Sequence, residues 1–210
     1  MRHIMEKQVL ITVGREFGSG GRRVARALGE KLGVTVYDGE LLSKAAEQSG
    51  LDPGLFQRSD EKKNLLSLGG MFGSNRYGSF TRNVLSDQEL FRIQSEVIRD
   101  LASKGSCIFV GRASDYILRD FSNCLDVFIC APEAVRAKNI SETDGISEEQ
   151  AIQLLHKKDN GRADWYNFFT FGHWGVASNY DLCIDSSVLG IEGTADFIID
   201  FGIKGGYFGK

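Results

Sequence analysis

The stretch GREFGSGGRRVAR, residues 14–26, constrains the fold of this chain more than any other segment. The β-branched run VLITV, residues 9–13, precedes it and predicts a buried strand. Apolar residues follow it at helical spacing, at Val24, Leu28 and Leu32, and predict a helix. A strand, a glycine-rich turn and a helix in this order are typical of an anion site, because the turn and the helix N-terminus both offer unpaired backbone N–H groups.

The glycine turn departs from two known phosphate-binding patterns. In the pattern G-x-x-x-x-G-K-[ST], the lysine position holds Gly21 and the Ser/Thr position holds Arg22. The dinucleotide pattern G-x-G-x-x-G is met at Gly18 and Gly20, but Arg23 stands at its third glycine. A turn that binds nothing is the alternative, yet four glycines and a serine exceed what one tight turn needs. We predict that phosphate is bound by Gly18, Ser19, Gly20, Gly21, Arg22 and Arg23.

Composition and charge exclude several classes of protein. The chain has 210 residues, of which 42% are hydrophobic and 25% charged, so one domain can bury a large core. The net charge of −3 argues against a sequence-independent nucleic-acid binder, which would need a basic face. The four cysteines form no C-x-x-C pair and no zinc spacing. We find no signal peptide and no run of membrane-spanning length, and therefore expect a cytoplasmic protein with no membrane partner.

Strands and helices alternate along the rest of the chain. Further apolar runs predict strands at residues 34–37, 107–110, 125–131 and 180–185. Helices are predicted at residues 40–49, 87–104, 132–136 and 190–203, and another that starts at Ser147. Five short strands separated by helices predict a single α/β domain, residues 1–210, with a parallel sheet and right-handed crossovers.

Two segments beside the phosphate turn are predicted to be mobile. Residues 50–80 lose periodicity and end in a glycine-rich stretch with scattered aromatic residues, which is typical of a long functional loop. Residues 147–171 open with SEEQ, a capping-box pattern in which Ser147 and Gln150 start a helix.

Two charged residues directly follow predicted strands. Asp38 follows the second strand, where it would bind a ribose hydroxyl group in a dinucleotide fold or cap the next helix. Arg112 follows the third strand, at the edge where open α/β sheets place their ligands. Its guanidinium would either grip a phosphate or form a structural ion pair with a carboxylate.

Four pieces of the chain, in order, resemble the cytidylate kinase-like branch of the P-loop nucleoside monophosphate kinases. ITVGREFGSGGRRVA is similar to that branch's modified P-loop, in which GSGG-R stands for GSGKGT. VYDGELLSKAA resembles the element that opens the monophosphate-binding region. FVGRASDYIL with DVFICAPEAVRA resembles the DGRD-type strand end and the segment after it. KKDNGRADWY with SNYDLCIDSSVLGIE resembles the lid helix and the final strand-to-helix turn.

The resemblance implies a P-loop NTPase-type three-layer sandwich with a five-stranded parallel sheet, helices on both faces and a helical lid. It implies transfer of the γ-phosphoryl group of ATP to a nucleoside monophosphate, with a cytidylate-like acceptor favoured and with Mg²⁺. Carried over by position, Asp38 and Arg112 would bind the acceptor. Asp159 and Arg162 would lie on the lid side of the substrate, and Arg136 would begin the arm that closes over the phosphates.

Because the P-loop lysine is absent, arginines would have to neutralise the negative charge of a triphosphate. Such chemistry needs positive charge on the moving phosphoryl group and exclusion of water. The resemblance makes Arg22, Arg112 and Arg162 the candidate catalytic residues. Arg22 is predicted to replace the lysine, unless it is merely a solvated residue of the first helical turn.

Two other classes of function stay open. A chain that has lost this lysine would also suit a nucleotide sensor that holds its ligand without turning it over. An NAD-dependent oxidoreductase is less favoured, because Arg23 replaces the third glycine of the dinucleotide pattern.

Overall fold

The computed structural model describes residues 7–39, Leu42 and residues 76–209, with residues 76–86 described by their backbone alone. The strands are β1 (Leu10–Arg15), β2 (Thr35–Tyr37), β3 (Cys107–Val110), β4 (Cys124–Cys130) and β5 (Leu182–Asp185). The helices are α1 (Gly21–Leu32), α2 (Arg76–Lys104), α3 (Ser114–Ile117), α4 (Glu133–Asp144), α5 (Glu148–Thr170) and α6 (Ser186–Lys204). A 3₁₀ turn, Ala177–Asn179, precedes β5.

The sheet has the strand order β2-β3-β1-β4-β5, and every neighbouring pair is parallel. β1 is central, because its first residue Leu10 is in register with Cys107 of β3 on one side and with Cys124 of β4 on the other. The strand order changes direction beside β1, and such a switch point at the carboxyl ends of the strands is where open α/β sheets bind ligands. The predicted five-stranded parallel sheet is therefore confirmed.

Two apolar layers enclose the sheet. On one face, Ile11 and Val13 of β1 pack with Leu28 of α1 and Ile198 of α6. On the other face, residues of β1 and β3 pack with α2 and the segment after α3, among them Leu10, Phe109, Ile98 and Leu118. Each of these side chains is fully buried and stabilises the fold by about 1.5–3 kcal/mol relative to an exposed position. The core thus fixes β1 rigidly, and with it the turn that follows.

The pair α4 and α5 has a small core of its own. Ala137 and Ile140 of α4 pack against Ala151 and Leu155 of α5. The predicted capping box is confirmed: Gln150 N donates to Ser147 Oγ (3.2 Å), and Ser147 N donates to Gln150 Oε1 (3.1 Å). The cap fixes where α5 begins, and the contacts with α4 fix which of its faces turns towards the sheet.

Two helices begin well before their predicted first residues. α2 begins at Arg76, eleven residues before the predicted start at residue 87. The sequence did not indicate this first part of the helix, because RYGSFTRNVLS contains Gly, Ser, Thr and Asn residues of weak helix propensity. Residues 76–80 are thus helical, whereas the rest of the predicted 50–80 loop lies outside the described residues. α6 begins at Ser186, where Asp185 Oδ1 accepts from Ser187 N (2.8 Å), and Gly190 interrupts it with φ 67°.

None of the helices in the described ranges combines the length and the apolar character that a membrane-spanning helix needs.

Candidate functional site

The glycine turn between β1 and α1 has the geometry of an anion-binding loop. Gly18 and Gly20 have φ values of 81° and 78°, a left-handed conformation that favours glycine. The Ser19 hydroxyl donates to the Glu16 carbonyl oxygen (2.9 Å) and closes the turn on itself. Gly20 is the N-cap of α1, and the first turn of α1 carries no acidic side chain. The helix therefore presents its positive end to the space above the sheet without an anion of its own.

Two ion pairs and two hydrogen bonds hold the outside of this turn in place. Arg136 of α4 is only 7% exposed, and its Nη1 donates to Asp159 Oδ2 (2.6 Å) while its Nε lies 3.4 Å from Glu16 Oε2. The backbone N–H of Phe17 donates to Asp159 Oδ1 (2.7 Å). Glu16 also accepts from the backbone N–H of Ala131 (3.1 Å). Arg136, predicted to begin an arm over the phosphates, here packs against the outside of the turn.

Asp159 and Arg162 lie one turn apart on α5; Asp159 contacts Phe17 in the glycine turn, and Arg162 contacts Arg15 at the end of β1. Arg162 Nη1 donates to the Arg15 carbonyl oxygen (3.1 Å) and to Asp159 Oδ1 (3.2 Å). The Arg162 guanidinium also lies 5.4 Å from the centre of the Phe17 ring. Burial lowers the pKa of Arg162, and the neighbouring Asp159 carboxylate partly offsets this. The helix that sequence analysis placed on the lid side is therefore in direct contact with the glycine turn.

Asp38 and Arg22 face each other across the mouth of the turn. Arg22 Nε lies 3.9 Å from Asp38 Oδ2, and the Arg22 side chain is 61% exposed whereas that of Asp38 is 17% exposed. The Asp38 carbonyl oxygen accepts from the backbone N–H of Leu42 (2.9 Å), as the carbonyl of an N-cap residue does. Asp38 thus occupies a helix-capping position, and its carboxylate faces Arg22 at the mouth of the glycine turn.

Arg112 occupies a strained connection at the end of β3. Arg112 and Ala113 have φ values of 64° and 53°, and two consecutive non-glycine residues in the left-handed region cost about 1 kcal/mol or more each. The Arg112 guanidinium packs against Gly39, where an added Cβ would lie 2.6 Å from Nη2. Strained backbone of this kind clusters at functional sites, and here it brings Arg112 beside the segment that starts at Asp38.

Arg23, also predicted to bind phosphate, lines a different space. It lies with Arg26 on an open cavity of about 490 Å³ between α1 and the start of α6, which Gly190 and Ile191 also line. The structure therefore brings Arg22 to the mouth of the turn and Arg23 to the outer side of α1.

Arg15 is the functional candidate that sequence analysis missed. Its half-buried guanidinium lies among Arg162, Arg112 and Arg22, and burial together with these three cations lowers the pKa of Arg15 to about 9. Among the described residues, no carboxylate lies within ion-pair distance of it. The sequence does show an arginine directly before the glycine turn. Because the predicted strand ended at residue 13, however, the direction of the Arg15 side chain was not predicted.

The four arginines together make a cationic site over the glycine turn. Like charges in a partly buried space raise the free energy of the protein, and a polyanion placed among them would remove that cost. Backbone N–H groups of the turn and the positive end of α1 favour the same ligand. A phosphate chain is a ligand that this arrangement can bind.

Comparison with known proteins gives a consistent result. A family model described as the cytidylate kinase-like family matches residues 10–188. A cytidylate kinase from Ignicoccus hospitalis is 26% identical over 185 residues, which cover 86% of this chain and 91% of that protein. Among solved structures, an uncharacterized protein from Eubacterium ventriosum has a TM-score of 0.68 and 28% identity, covering 92% of this chain and 98% of that one.

A more distant likeness concerns the fold alone. The shikimate kinase from Bacteroides thetaiotaomicron has a TM-score of 0.54 at 11% identity, covering 93% of this chain and 98% of that one. The predicted P-loop type of α/β fold is confirmed.

Proposed function

Because this chain belongs to the cytidylate kinase-like family, we propose that it transfers the γ-phosphoryl group of ATP to a nucleoside monophosphate, with a cytidylate-like acceptor favoured. The observation that carries the proposal is the convergence of Arg22, Arg112 and Arg162 on the space around Arg15 above the glycine turn. A phosphate chain is the ligand that such a group of cations requires. The family and the fold are those of kinases, which agrees with this chemistry.

The donor triphosphate is proposed to lie on the glycine turn. Backbone N–H groups at Gly18, Gly20 and Gly21 would hold its phosphate oxygens, whereas the Ser19 N–H already donates to the Glu16 carbonyl oxygen (3.4 Å). Arg22 projects from the first turn of α1 at the mouth of the turn and would add its charge to the donor set, whereas Arg23 lies on the outer side of α1. The support for this placement is the open N-terminus of α1, which carries neither a capping side chain nor an acidic residue.

The acceptor is proposed to lie between the ends of β1, β2 and β3. Arg112 follows β3 and packs against Gly39, directly beside Asp38 at the end of β2. A guanidinium at this place can bind the acceptor phosphate in a bidentate manner, while the Asp38 carboxylate accepts hydrogen bonds from the rest of the nucleotide. The distance of 3.9 Å between Asp38 and Arg22 brings this acceptor side next to the donor phosphates.

α5 is proposed to act as the lid, with residues 147–171 moving as substrates enter and leave. Asp159 is proposed to lie on the lid side and to orient Arg162, which donates to it and to the Arg15 carbonyl oxygen at the end of β1. When α5 lies on the turn, Arg162 would stabilise the charge that develops on the transferred phosphoryl group, and water would be excluded. The acceptor oxygen then attacks in line with the departing diphosphate.

Magnesium is proposed to arrive with ATP. Mg²⁺ usually keeps several waters and is held by phosphate oxygens together with one or two carboxylates, which fits a site where Asp38 faces the phosphate turn. The metal would supply positive charge that offsets the charge of the donor phosphates. Within the ranges that the structure describes, no cluster of three His, Cys, Asp or Glu side chains offers a metal site independent of the nucleotide.

A nucleotide sensor is the second candidate, and Gly21 at the lysine position is the observation that favours it. Purified protein with ATP and each of CMP, dCMP, UMP and AMP, assayed for ADP, distinguishes the two. A kinase forms ADP with at least one acceptor above the level without acceptor, and we expect the fastest turnover with CMP or dCMP. ATP binding with no acceptor-dependent ADP would contradict the kinase proposal and favour the sensor.

A further inference from the structure

The first residue of α1 has no room for a side chain. A Cβ added to Gly21 would lie 2.5 Å from the Cβ of Arg15 and 3.1 Å from its Cγ, and 3.3 Å from the Cβ of Ile129. These distances are shorter than those of packed carbon atoms, which touch at about 3.5–4.0 Å. Arg15 therefore occupies the path along which a lysine side chain at position 21 would leave the helix.

The Arg15 side chain continues from this point towards the end of β3. An added Cβ at Gly111 would overlap the Arg15 Nη1 atom, so the guanidinium lies directly against the Gly111 backbone. Gly111 immediately precedes Arg112, the residue proposed to bind the acceptor phosphate. The Arg15 guanidinium thus lies between the first turn of α1 and the acceptor side, which is where the transferred phosphoryl group must pass.

The charges around Arg15 leave it in need of an anion. Its surroundings contain Arg162, Arg112 and Arg22, and among the residues that the structure describes Asp159 is the acidic residue whose charge raises its pKa. Both Asp159 oxygens are already bonded, one to the Phe17 N–H and the other to Arg136. With a pKa of about 9, Arg15 is still protonated at neutral pH. A phosphate chain would supply the missing negative charge.

Arg22, which sequence analysis placed in the role of the lysine, has a different environment. Its side chain is 61% exposed and its Nε lies 3.9 Å from Asp38, so it approaches the site from the acceptor side. Arg15 is half-buried at the end of the central strand, where its position is fixed by pairing with Ile129 of β4. A residue that must hold a phosphoryl group in a defined position is better placed on the rigid strand.

We propose that Arg15 takes the place of the P-loop lysine and contacts the β- and γ-phosphates of the donor, an inference that rests on the proposed function. This arrangement then requires a glycine at position 21, because the Arg15 side chain occupies the space that a side chain at this position would fill. The proposal assigns catalytic contact to a residue outside the glycine turn itself.

The experiment moves the positive charge from position 15 to position 21. Arg15→Ala, Gly21→Lys and the double variant Arg15→Ala/Gly21→Lys are compared with wild type, with the exposed Arg119→Ala as the matched control. Affinity is measured by isothermal titration with ATP and with inorganic triphosphate, and turnover with the preferred acceptor. We expect Arg15→Ala to weaken both affinities at least about tenfold and to lower kcat about a hundredfold. The double variant should recover part of both losses, and Gly21→Lys alone should lower the melting temperature.

The outcomes separate this proposal from the proposed function. Unchanged affinity and turnover in Arg15→Ala would overturn the role of Arg15 and leave the kinase intact. Triphosphate binding that depends on Arg15, in a wild type that forms no ADP, would support the anion contact and overturn the kinase. A wild type that binds neither anion overturns both. If Arg15→Ala melts at a lower temperature without ligand, Arg15→Met keeps the packing of the side chain and removes only its charge.

Discussion

The Asp159 carboxylate accepts a hydrogen bond of 2.7 Å from the backbone N–H of Phe17, which lies 142 residues earlier in the chain. The same carboxylate binds Arg136 through its other oxygen, at 2.6 Å. One side chain of α5 therefore fixes both the backbone of the glycine turn and the buried cation behind it. The contact couples the position of α5 to the shape of the turn.

Replacement of Asp159 by alanine should destabilise the protein substantially. The change leaves the Phe17 N–H unbonded and removes one of two carboxylates from Arg136, which keeps Glu16. We expect a loss of about 3 kcal/mol in the free energy of unfolding, the low end for removing one partner of a buried ion pair. Urea unfolding measures it. Asp100→Ala, which removes an exposed ion pair with Lys104, is the control and should cost less than about 1 kcal/mol. Equal losses in the two variants would contradict this account.

Local patterns in the sequence were sufficient to predict the framework of the fold. Apolar runs at residues 107–110 and 125–131, the second interrupted by Asp126, mark strands because most side chains buried on the two faces of a parallel sheet are apolar. Ser147 and Gln150 mark the start of α5 because a capping box is made by residues three apart. These features depend on neighbours in the chain, and a sequence shows such neighbours directly.

The details of the candidate site depend on distant residues and were therefore not predictable in the same way. Arg136 was predicted to begin the arm that closes over the phosphates, and nothing in its own segment indicated its partners Glu16 and Asp159, which come from the turn after β1 and from α5. The role of Arg15 follows from the space above Gly21 and Gly111, which exists only once β1, β3 and α1 are assembled. Sequence spacing gives neither the direction of a side chain nor the volume it fills.

Replacement of Arg112 by alanine should affect the acceptor rather than the donor. Arg112 follows β3 and packs against Gly39, whereas the donor turn follows β1. We expect the acceptor KM to rise at least about tenfold, the cost of losing a hydrogen bond between charged groups, with the ATP affinity nearly unchanged. Steady-state kinetics and ATP titration measure the two effects. Arg119→Ala, in the connection between α3 and β4, serves as the control. Equal loss of both affinities would indicate a structural ion pair instead.

Stability should depend on pH through Asp126 of β4. Burial raises the pKa of this carboxyl group to about 6, although Thr12 Oγ1 donates to it at 2.5 Å, and the nearby Asp115 and Asp181 raise it further. Because the pKa is raised in the folded state, the protonated carboxyl group contributes to the free energy of unfolding. This contribution is fully present below about pH 4 and is lost as the pH rises through 6. Asp126→Asn should therefore gain stability relative to wild type between pH 4 and pH 7, by up to about 3 kcal/mol.

Urea unfolding of both proteins at pH 4, 5, 6 and 7 checks the sign of this effect. The amide oxygen that Asp126→Asn introduces can still accept the Thr12 hydrogen bond, so the difference isolates the charge. Asp200→Asn, on the exposed part of α6, is the control and should show no comparable change with pH. A stability difference that stays constant from pH 4 to pH 7 would contradict the raised pKa.

The last prediction concerns Arg22, which contributes charge to the donor without fixing its position. Its side chain is 61% exposed and its ion pair with Asp38 is long, at 3.9 Å, so the pair contributes less than about 1 kcal/mol to stability. We therefore expect Arg22→Ala to leave the melting temperature of the ligand-free protein nearly unchanged.

A cation on the first turn of α1 opposes the helix dipole unless an anion is bound, which favours a role for Arg22 in the ligand-bound protein. The same variant should weaken ATP binding about tenfold, roughly 1.4 kcal/mol, in isothermal titrations at matched salt. Because Arg15 remains at the centre of the site, turnover at saturating ATP should fall much less than in Arg15→Ala. An unchanged ATP affinity would show that Arg22 is a solvated residue of the first helical turn, and a loss of turnover as large as that in Arg15→Ala would return the role of the lysine to Arg22.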